Sequence, residues 1–358
     1  MRKKAISMIL AAALGSALLA GCSSAPKETT AAATTAETTA EEKKEESKAE
    51  ETKAEEKKEE AAGNDMLSGE TGDIAKAGDG KGQKVVLITI DSMDQHWVNM
   101  DKGCKQAAEE LGCDYKWIAP DVKDDAKQIE CVNNAVAGGY DAIMVAANGP
   151  DAISSALQEA KDQGIKIVYV DSPANVEAEA TFSTDNEAAG TTAGEEMKKA
   201  LEDAGITSGK IGIINVNAAT DSCVNREEGF RAAFDGTDFE IMETQYGEGD
   251  AAKSQSIAEN YITQGVVGIF GCNEGSTTGA GNAIKAAGNA DIIGVGFDKS
   301  DAILNLIDDG YLLCTMAQNP DVMGSEGVKA AVKAINGEEL GGEVTDTGVS
   351  VITKDSDK

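Results

Sequence analysis

From Lys84 to Thr353 the chain alternates short apolar runs with longer amphipathic stretches. The first run, Val85-Val86-Leu87-Ile88-Thr89-Ile90, is continuous rather than alternating, which predicts a parallel strand buried on both faces. A helical period follows to about Leu111, then a strand near Tyr115 to Ile118 and a helix from about Asp124 to Ala137. A strand from Ala142 to Ala146, a helix from Asp151 to Asp162 and a strand from Ile165 to Val170 complete the first series. Such successive units predict a parallel sheet flanked by helices, because crossovers between parallel strands are right-handed.

After a linker around Ser172 to Ala180 and the segment Thr181-Phe182-Ser183-Thr184, the same texture restarts. Helices are expected at Glu187 to Leu201, Asn225 to Phe234, Ala251 to Thr263, Thr277 to Ala287 and Asp301 to Asp308. Strands are expected at Lys210 to Asn215, Phe239 to Gln245, Val266 to Phe270, Ile292 to Val295 and Tyr311 to Met316. A last helix near Val322 to Ile335 and a strand near Val349 to Ile352 close the chain. The fold class is therefore α/β, with two similar doubly wound lobes.

The N-terminal region has another character. Met1-Arg2-Lys3-Lys4 is a positive head, Ala5 to Leu19 a short apolar segment, and Leu19-Ala20-Gly21-Cys22 places small residues before a cysteine. This resembles a bacterial lipoprotein signal, with residues 1–21 removed and Cys22 lipidated. The apolar segment is shorter than the ~20 residues a membrane-spanning helix needs. Two or three acyl chains, at about 0.8 kcal/mol per methylene, would hold the protein on the extracytoplasmic face of the membrane. Residues 22–82, rich in Thr and Ala and then in Glu and Lys, bury too little apolar surface to fold and are expected to be a tether.

A net charge of −31 excludes nucleic acid as a partner, since phosphate binding is driven by clustered Lys and Arg. Six cysteines follow Cys22 without CxxC or metal-ligand spacing, which leaves buried thiols or a disulfide. With His96 the only histidine, neither a metal site nor a cofactor is expected.

In α/β sheets ligands bind beyond the carboxyl ends of the strands, so the residues there carry the chemistry. After the first strand stand Asp91, Ser92, Asp94, His96 and Trp97, and further on come Asn148 and Asp171. In the second half they are Asn273 with Glu274, Asp298 and Gln318, with Arg226 on a helix after Ala218-Ala219-Thr220. Helix capping accounts for any one Asp or Asn, but not for Trp97, Arg226 and Gln318 at the same rim. A hydroxyl-rich ligand needs this mixture: carboxylates to accept, amides to do both, a guanidinium to donate and a flat ring against C–H groups.

Seven segments in order carry a resemblance to a family. They are Asp94-Gln95-His96-Trp97, Val168-Tyr169-Val170-Asp171, Thr184-Asp185-Asn186, Arg226-Glu227-Glu228-Gly229-Phe230, Gly271-Cys272-Asn273-Glu274, Gly294-Val295-Gly296-Phe297-Asp298 and Thr315-Met316-Ala317-Gln318-Asn319-Pro320. Over about Lys84 to Thr353 the chain resembles the type I periplasmic sugar-binding proteins of ABC importers, near the ribose-binding group. The resemblance implies a three-segment hinge at Thr184, Asp185, Gln318, Asn319 and Thr347. Residues 83–184 plus 319–346 would then form one lobe and residues 185–318 plus 347–354 the other. It implies ligand contacts from Asp94, His96, Trp97, Asn148, Asp171, Arg226, Asn273, Asp298 and Gln318. It also implies hinge closure without catalysis, by a monomer that delivers a monosaccharide or polyol to a membrane permease. Ser172 departs from the arginine of ribose binders, and Gly247-Glu248-Gly249 hold no aromatic where they place one, although Tyr246 directly precedes them. The alternatives are a sensory accessory using the same site, and a hydrolase with Asp94 and Asp298 as its acid and base.

Overall fold

The computed structural model describes residues 79–356; the signal segment, Cys22 and the tether to residue 78 lie outside the described residues. Asp79 to Gly82 form a turn held to the folded body, where Gly80 N–H donates to Leu111 O and Asn336 Nδ2 to Asp79 O.

The first series is β1 (Lys84–Ile88), α1 (Gln95–Leu111), β2 (Asp114–Ile118), α2 (Asp125–Ala137), β3 (Ala142–Val145), α3 (Pro150–Asp162), β4 (Lys166–Val170) and β5 (Ala180–Ser183). The second is α4 (Asn186–Asp203), β6 (Ser208–Asn215), α5 (Asp221–Ala232), β7 (Asp238–Ile241), β8 (Gln245–Tyr246), α6 (Ala251–Thr263), β9 (Val266–Gly271), α7 (Glu274–Ala287), β10 (Ile293–Phe297), α8 (Asp301–Asp308) and β11 (Cys314–Gln318). The chain ends with α9 (Pro320–Ile335), β12 (Glu343–Asp346) and β13 (Val349–Thr353).

One sheet runs β12-β5-β4-β3-β1-β2, every neighbour parallel. The other runs β13-β11-β10-β9-β6-β7 with β8 beside β6, parallel except for β11 against β13. Alternate residues of each central strand feed separate cores. Val85 and Leu87 pack with Met100 and Cys104 of α1 and Met323 and Val328 of α9. Val86 and Ile88 pack with Val132 of α2 and Leu157 of α3. In the second sheet, Ile211 and Ile213 meet α4 and α5, while Ile214 meets α6 and α7. Burial on both faces is why these strands read as unbroken apolar runs.

Paired glycines let the helices approach. A Cβ on Gly103 would lie 2.0 Å from Asp321 O, and one on Gly324 would lie 2.3 Å from Met100 O, so α1 and α9 cross almost backbone to backbone. The second lobe repeats the device between α4 and α5, with 2.1 Å from Gly190 to Arg226 O and 2.0 Å from Gly229 to Glu187 O.

Three differences from the sequence expectation have physical reasons. Thr181 to Ser183, expected as a connection, belong to β5, and exposed polar β12 pairs along it. The strand expected from Phe239 to Gln245 divides into β7 and β8, both along β6. Tyr311 and Leu312 precede β11 because they pack with α8 instead of joining the ladder.

The chain passes between the sheets three times, after Ser183, after Gln318 and after Asp346. These passages are bonded together. Thr184 Oγ1 donates to Gln318 Oε1 at 2.9 Å, Asn319 Nδ2 to Thr347 O at 2.8 Å, and Thr347 N–H to Ser183 O at 2.7 Å.

Candidate functional site

The strand ends of the two sheets face each other across a cleft of about 340 Å³, its mouth included. Of the nine residues singled out from sequence as ligand contacts, eight line it: Asp94, His96, Trp97, Asp171, Arg226, Asn273, Asp298 and Gln318. Asn148 does not. Its side chain donates to Asp125 Oδ1 and accepts from Asn217 Nδ2, and its carbonyl accepts from Thr220 Oγ1, so it joins the two lobes beside the cleft.

At the centre lies the imidazole of His96, near the start of α1. Nε2 is 3.0 Å from Asp171 Oδ2, an ion-pair contact without hydrogen-bond alignment, and Nδ1 is 3.5 Å from Asp298 Oδ1. Both aspartates directly follow a strand and have left-handed backbones, φ 63° at Asp171 and 75° at Asp298. That conformation is uncommon for a residue with a Cβ, though tolerated by Asp, and it is found preferentially at functional sites.

Each aspartate is bonded within its own lobe, and Asp171 Oδ1 also accepts from Ser222 Oγ of the other lobe at 3.3 Å. Asp171 Oδ1 accepts from Ser172 Oγ at 2.8 Å, and Ser172 Oγ lies 2.7 Å from Ser222 Oγ across the cleft. Asp298 accepts from Gln318 Nε2 at 2.6 Å and from Glu274 N–H at 2.8 Å. Arg226 reaches in from α5, its guanidinium carbon 4.4 Å above the Phe297 ring. Nε donates to Asn186 Oδ1 at 2.8 Å and Nη1 to Cys272 O at 3.0 Å. Nη2 is buried without a hydrogen-bond acceptor, 3.9 Å from Asp171 Oδ2. Asn273 caps α7 by accepting from Ser276 N–H at 3.1 Å and also lines the cleft.

The charges set one another's proton affinities. Burial alone would raise the Asp171 carboxyl, but the His96 contact and charge, then Arg226 and Ser172, bring it well below the usual carboxylate range. Burial alone would lower the His96 imidazole; Asp171 and then Asp298 outweigh it and raise it. Burial pushes Asp94 up to about 6 despite Lys123. It also pushes Glu274 up to about 7, with Asp94 and Asp298 adding to the effect.

Lys123 was not singled out from sequence, yet it lines the cleft. Its ammonium pairs with Asp91 and, at 3.1 Å, with Asp94, while Trp97 Nε1 donates to Asp91 Oδ2 at 3.3 Å. The available signal was one lysine in the acidic loop Asp121-Val122-Lys123-Asp124-Asp125. Opposite it lies Gly249, φ 69°, where a Cβ would come 2.2 Å from Lys123 Cε. Thr220 and Ser222, also in the lining, were missed for want of any distinguishing pattern.

The six cysteines within the described residues are free thiols. Cys223 lines the cleft, and burial pushes its thiol up to about 11, far from the thiolate a nucleophile needs.

Comparison with known proteins accords with this architecture. A model of the periplasmic binding protein domain matches residues 85–339. A ribose import binding protein from Haemophilus influenzae is 27% identical over 272 residues, covering 75% of this chain and 91% of its own. Among solved structures, an ABC transporter solute-binding protein from Agrobacterium vitis with bound D-fucose is 30% identical with a TM-score of 0.71, covering 76% of this chain and 95% of its own. Another, from Burkholderia graminis in complex with D-arabinose, is 27% identical with a TM-score of 0.73, covering 77% and 96%. With two parallel-sheet lobes meeting strand end to strand end, the chain belongs to the periplasmic binding protein domain family, in its type I form.

Proposed function

We propose that the protein captures a monosaccharide or related polyol between its lobes by hinge closure and delivers it to the permease of an ABC importer. One observation carries this: buried Arg226 Nη2 lacks an acceptor in a cleft where carboxylates from both sheets converge. A buried donor of this kind calls for an oxygen, and vicinal hydroxyls beside it would donate to Asp171 and Asp298. Trp97, next to the acidic group, supplies an apolar wall. The relatives that bind ribose, D-fucose and D-arabinose support the choice of ligand class.

The passages at Thr184-Asp185, Gln318-Asn319 and Thr347 would serve as the hinge. They bound lobes of residues 83–184 plus 319–346 and 185–318 plus 347–354. A lipidated Cys22 would keep the protein on the outer face of the membrane, near its permease. Titration calorimetry against pentoses, hexoses, inositols and sugar alcohols tests the proposal. Heat of binding for at least one is expected; none from folded protein would sink the sugar assignment.

A further inference from the structure

We infer that Glu274 is a positioning residue for ligand capture, capping α1 across the cleft and holding His96 between the two aspartates. The inference rests on lobe closure as the capture step. The first amides of any helix lack partners within it, and a side chain just before the helix commonly supplies one. Here Asp94 occupies that position and makes no cap bond, its carboxylate being turned to Lys123. No acidic residue lies in the first turn of α1. The acceptor comes from the other lobe: Glu274 Oε2 receives the His96 N–H at 3.1 Å. Glu274 opens α7, and its own N–H donates to Asp298 Oδ2. A circuit therefore runs from Asp298 through Glu274 to the His96 backbone, and returns through the imidazole to Asp298. It exists only while the lobes are together.

Ionisation would strengthen the acceptor itself, since the Gln95 and His96 amides favour the carboxylate, but burial and the neighbouring carboxylates oppose it more strongly. Glu274 faces Asp94 at the entry to α1 and Asp298 after β10; His96 lies beside it in α1, and Lys123 reaches it only through Asp94. Burial, then Asp94 and Asp298, raise its carboxyl to about 7, so the closed arrangement favours the protonated form. With the closed value above that of an exposed carboxyl, closure is fully supported at acidic pH and weakens as pH rises through about 7. Glutamine keeps an acceptor for the His96 amide and imitates the protonated acid.

The test uses the full chain with Glu274→Gln and Glu274→Ala, measuring amide exchange over residues 93–100 and titrating D-fucose and D-arabinose at about pH 6 and pH 8. Glu274→Ala is expected to speed exchange at the start of α1 and weaken sugar binding, each by about fivefold, the size of a lost cap. Glu274→Gln is expected to keep protection and affinity at parental levels or better at the higher pH, and to halve the parent's pH dependence at least. Parental exchange and affinity in Glu274→Ala would overturn the cap and leave the sugar assignment standing. Faster exchange in that variant with no sugar bound by any form would support the cap and remove the sugar assignment. Should Glu274→Ala fail to fold, Glu274→Gln decides: halved pH dependence of protection supports the inference, and undiminished dependence overturns it.

Discussion

Asp171 and Asp298 stand at matching places in different sheets, each following the third strand from one edge, each with a left-handed backbone, and each against the same imidazole. The two lobes thus present one strand-end device twice, facing itself, with His96 as the element that breaks the symmetry. The two halves differ in their donors, with Arg226 beside Asp171 and Gln318 bonded to Asp298.

Asp171→Ala and Arg226→Ala should each weaken binding of the identified sugar by several kcal/mol, within the ~3–5 kcal/mol seen when one partner of a buried charged pair is removed. Arg226→Ala also strips Asn186 Oδ1 and Cys272 O of a donor, so its melting temperature should fall as well. Calorimetry alongside thermal melts separates the two effects; near-normal affinity in both variants would remove them from the ligand contacts.

Stability should decline from mildly acidic to alkaline pH. The folded His96 value is raised above 6.5, so its contribution is complete below that value and is lost as pH rises through the folded one. Asp94 and Glu274, raised to about 6 and about 7, act in the same direction at lower pH. Asp171 is lowered and loses its contribution only as pH falls below 3.8. Denaturant unfolding between about pH 5 and pH 9 should show the decline, and His96→Gln should flatten its upper part. An unchanged profile in that variant would contradict the assignment.

Lys123→Met leaves Asp91 and Asp94 side by side, both nearly buried, with no cation between them. A loss of about 3–5 kcal/mol is expected at neutral pH, and less once Asp94 is protonated or replaced by Asn. Chemical denaturation of the single and Lys123→Met/Asp94→Asn variants measures it. Equal losses in both would show that charge is not the cause.

Gly229→Ala drives a methyl group into Glu187 O and must push α4 from α5. Overpacking of this kind costs about 1–3 kcal/mol. Because Arg226 lies one helical turn earlier on α5, sugar affinity should fall too. A drop in stability with parental affinity would mean that the helix moves without its arginine.

Much of this was legible in the chain. Buried parallel strands announce themselves as apolar runs, and the polar residues after them named eight of the residues lining the cleft. What escaped depends on partners distant in sequence. Glu343 to Asp346 are exposed and carry no strand pattern; only pairing with β5 makes them β12. Thr220 was expected to do no more than precede a helix, yet its hydroxyl bonds to Asn148 of the other lobe. Lys123 resembles an ordinary solvated charge until folding brings it against its carboxylate partners, and Glu274, named at the rim, gave no sign that its partner would be the His96 amide of the other lobe.

The interleaved connectivity also governs how the protein is made. The first sheet lacks β12, and its helical cover lacks α9, until residues 320–346 have been synthesised, after almost the whole second lobe. A nascent chain shorter than that holds an open β5 edge and a face of Val85, Leu87 and Met144 that α1 covers without α9. Neither can close until residues 320–346 arrive, so the lobe begun first is finished after nearly all of the second.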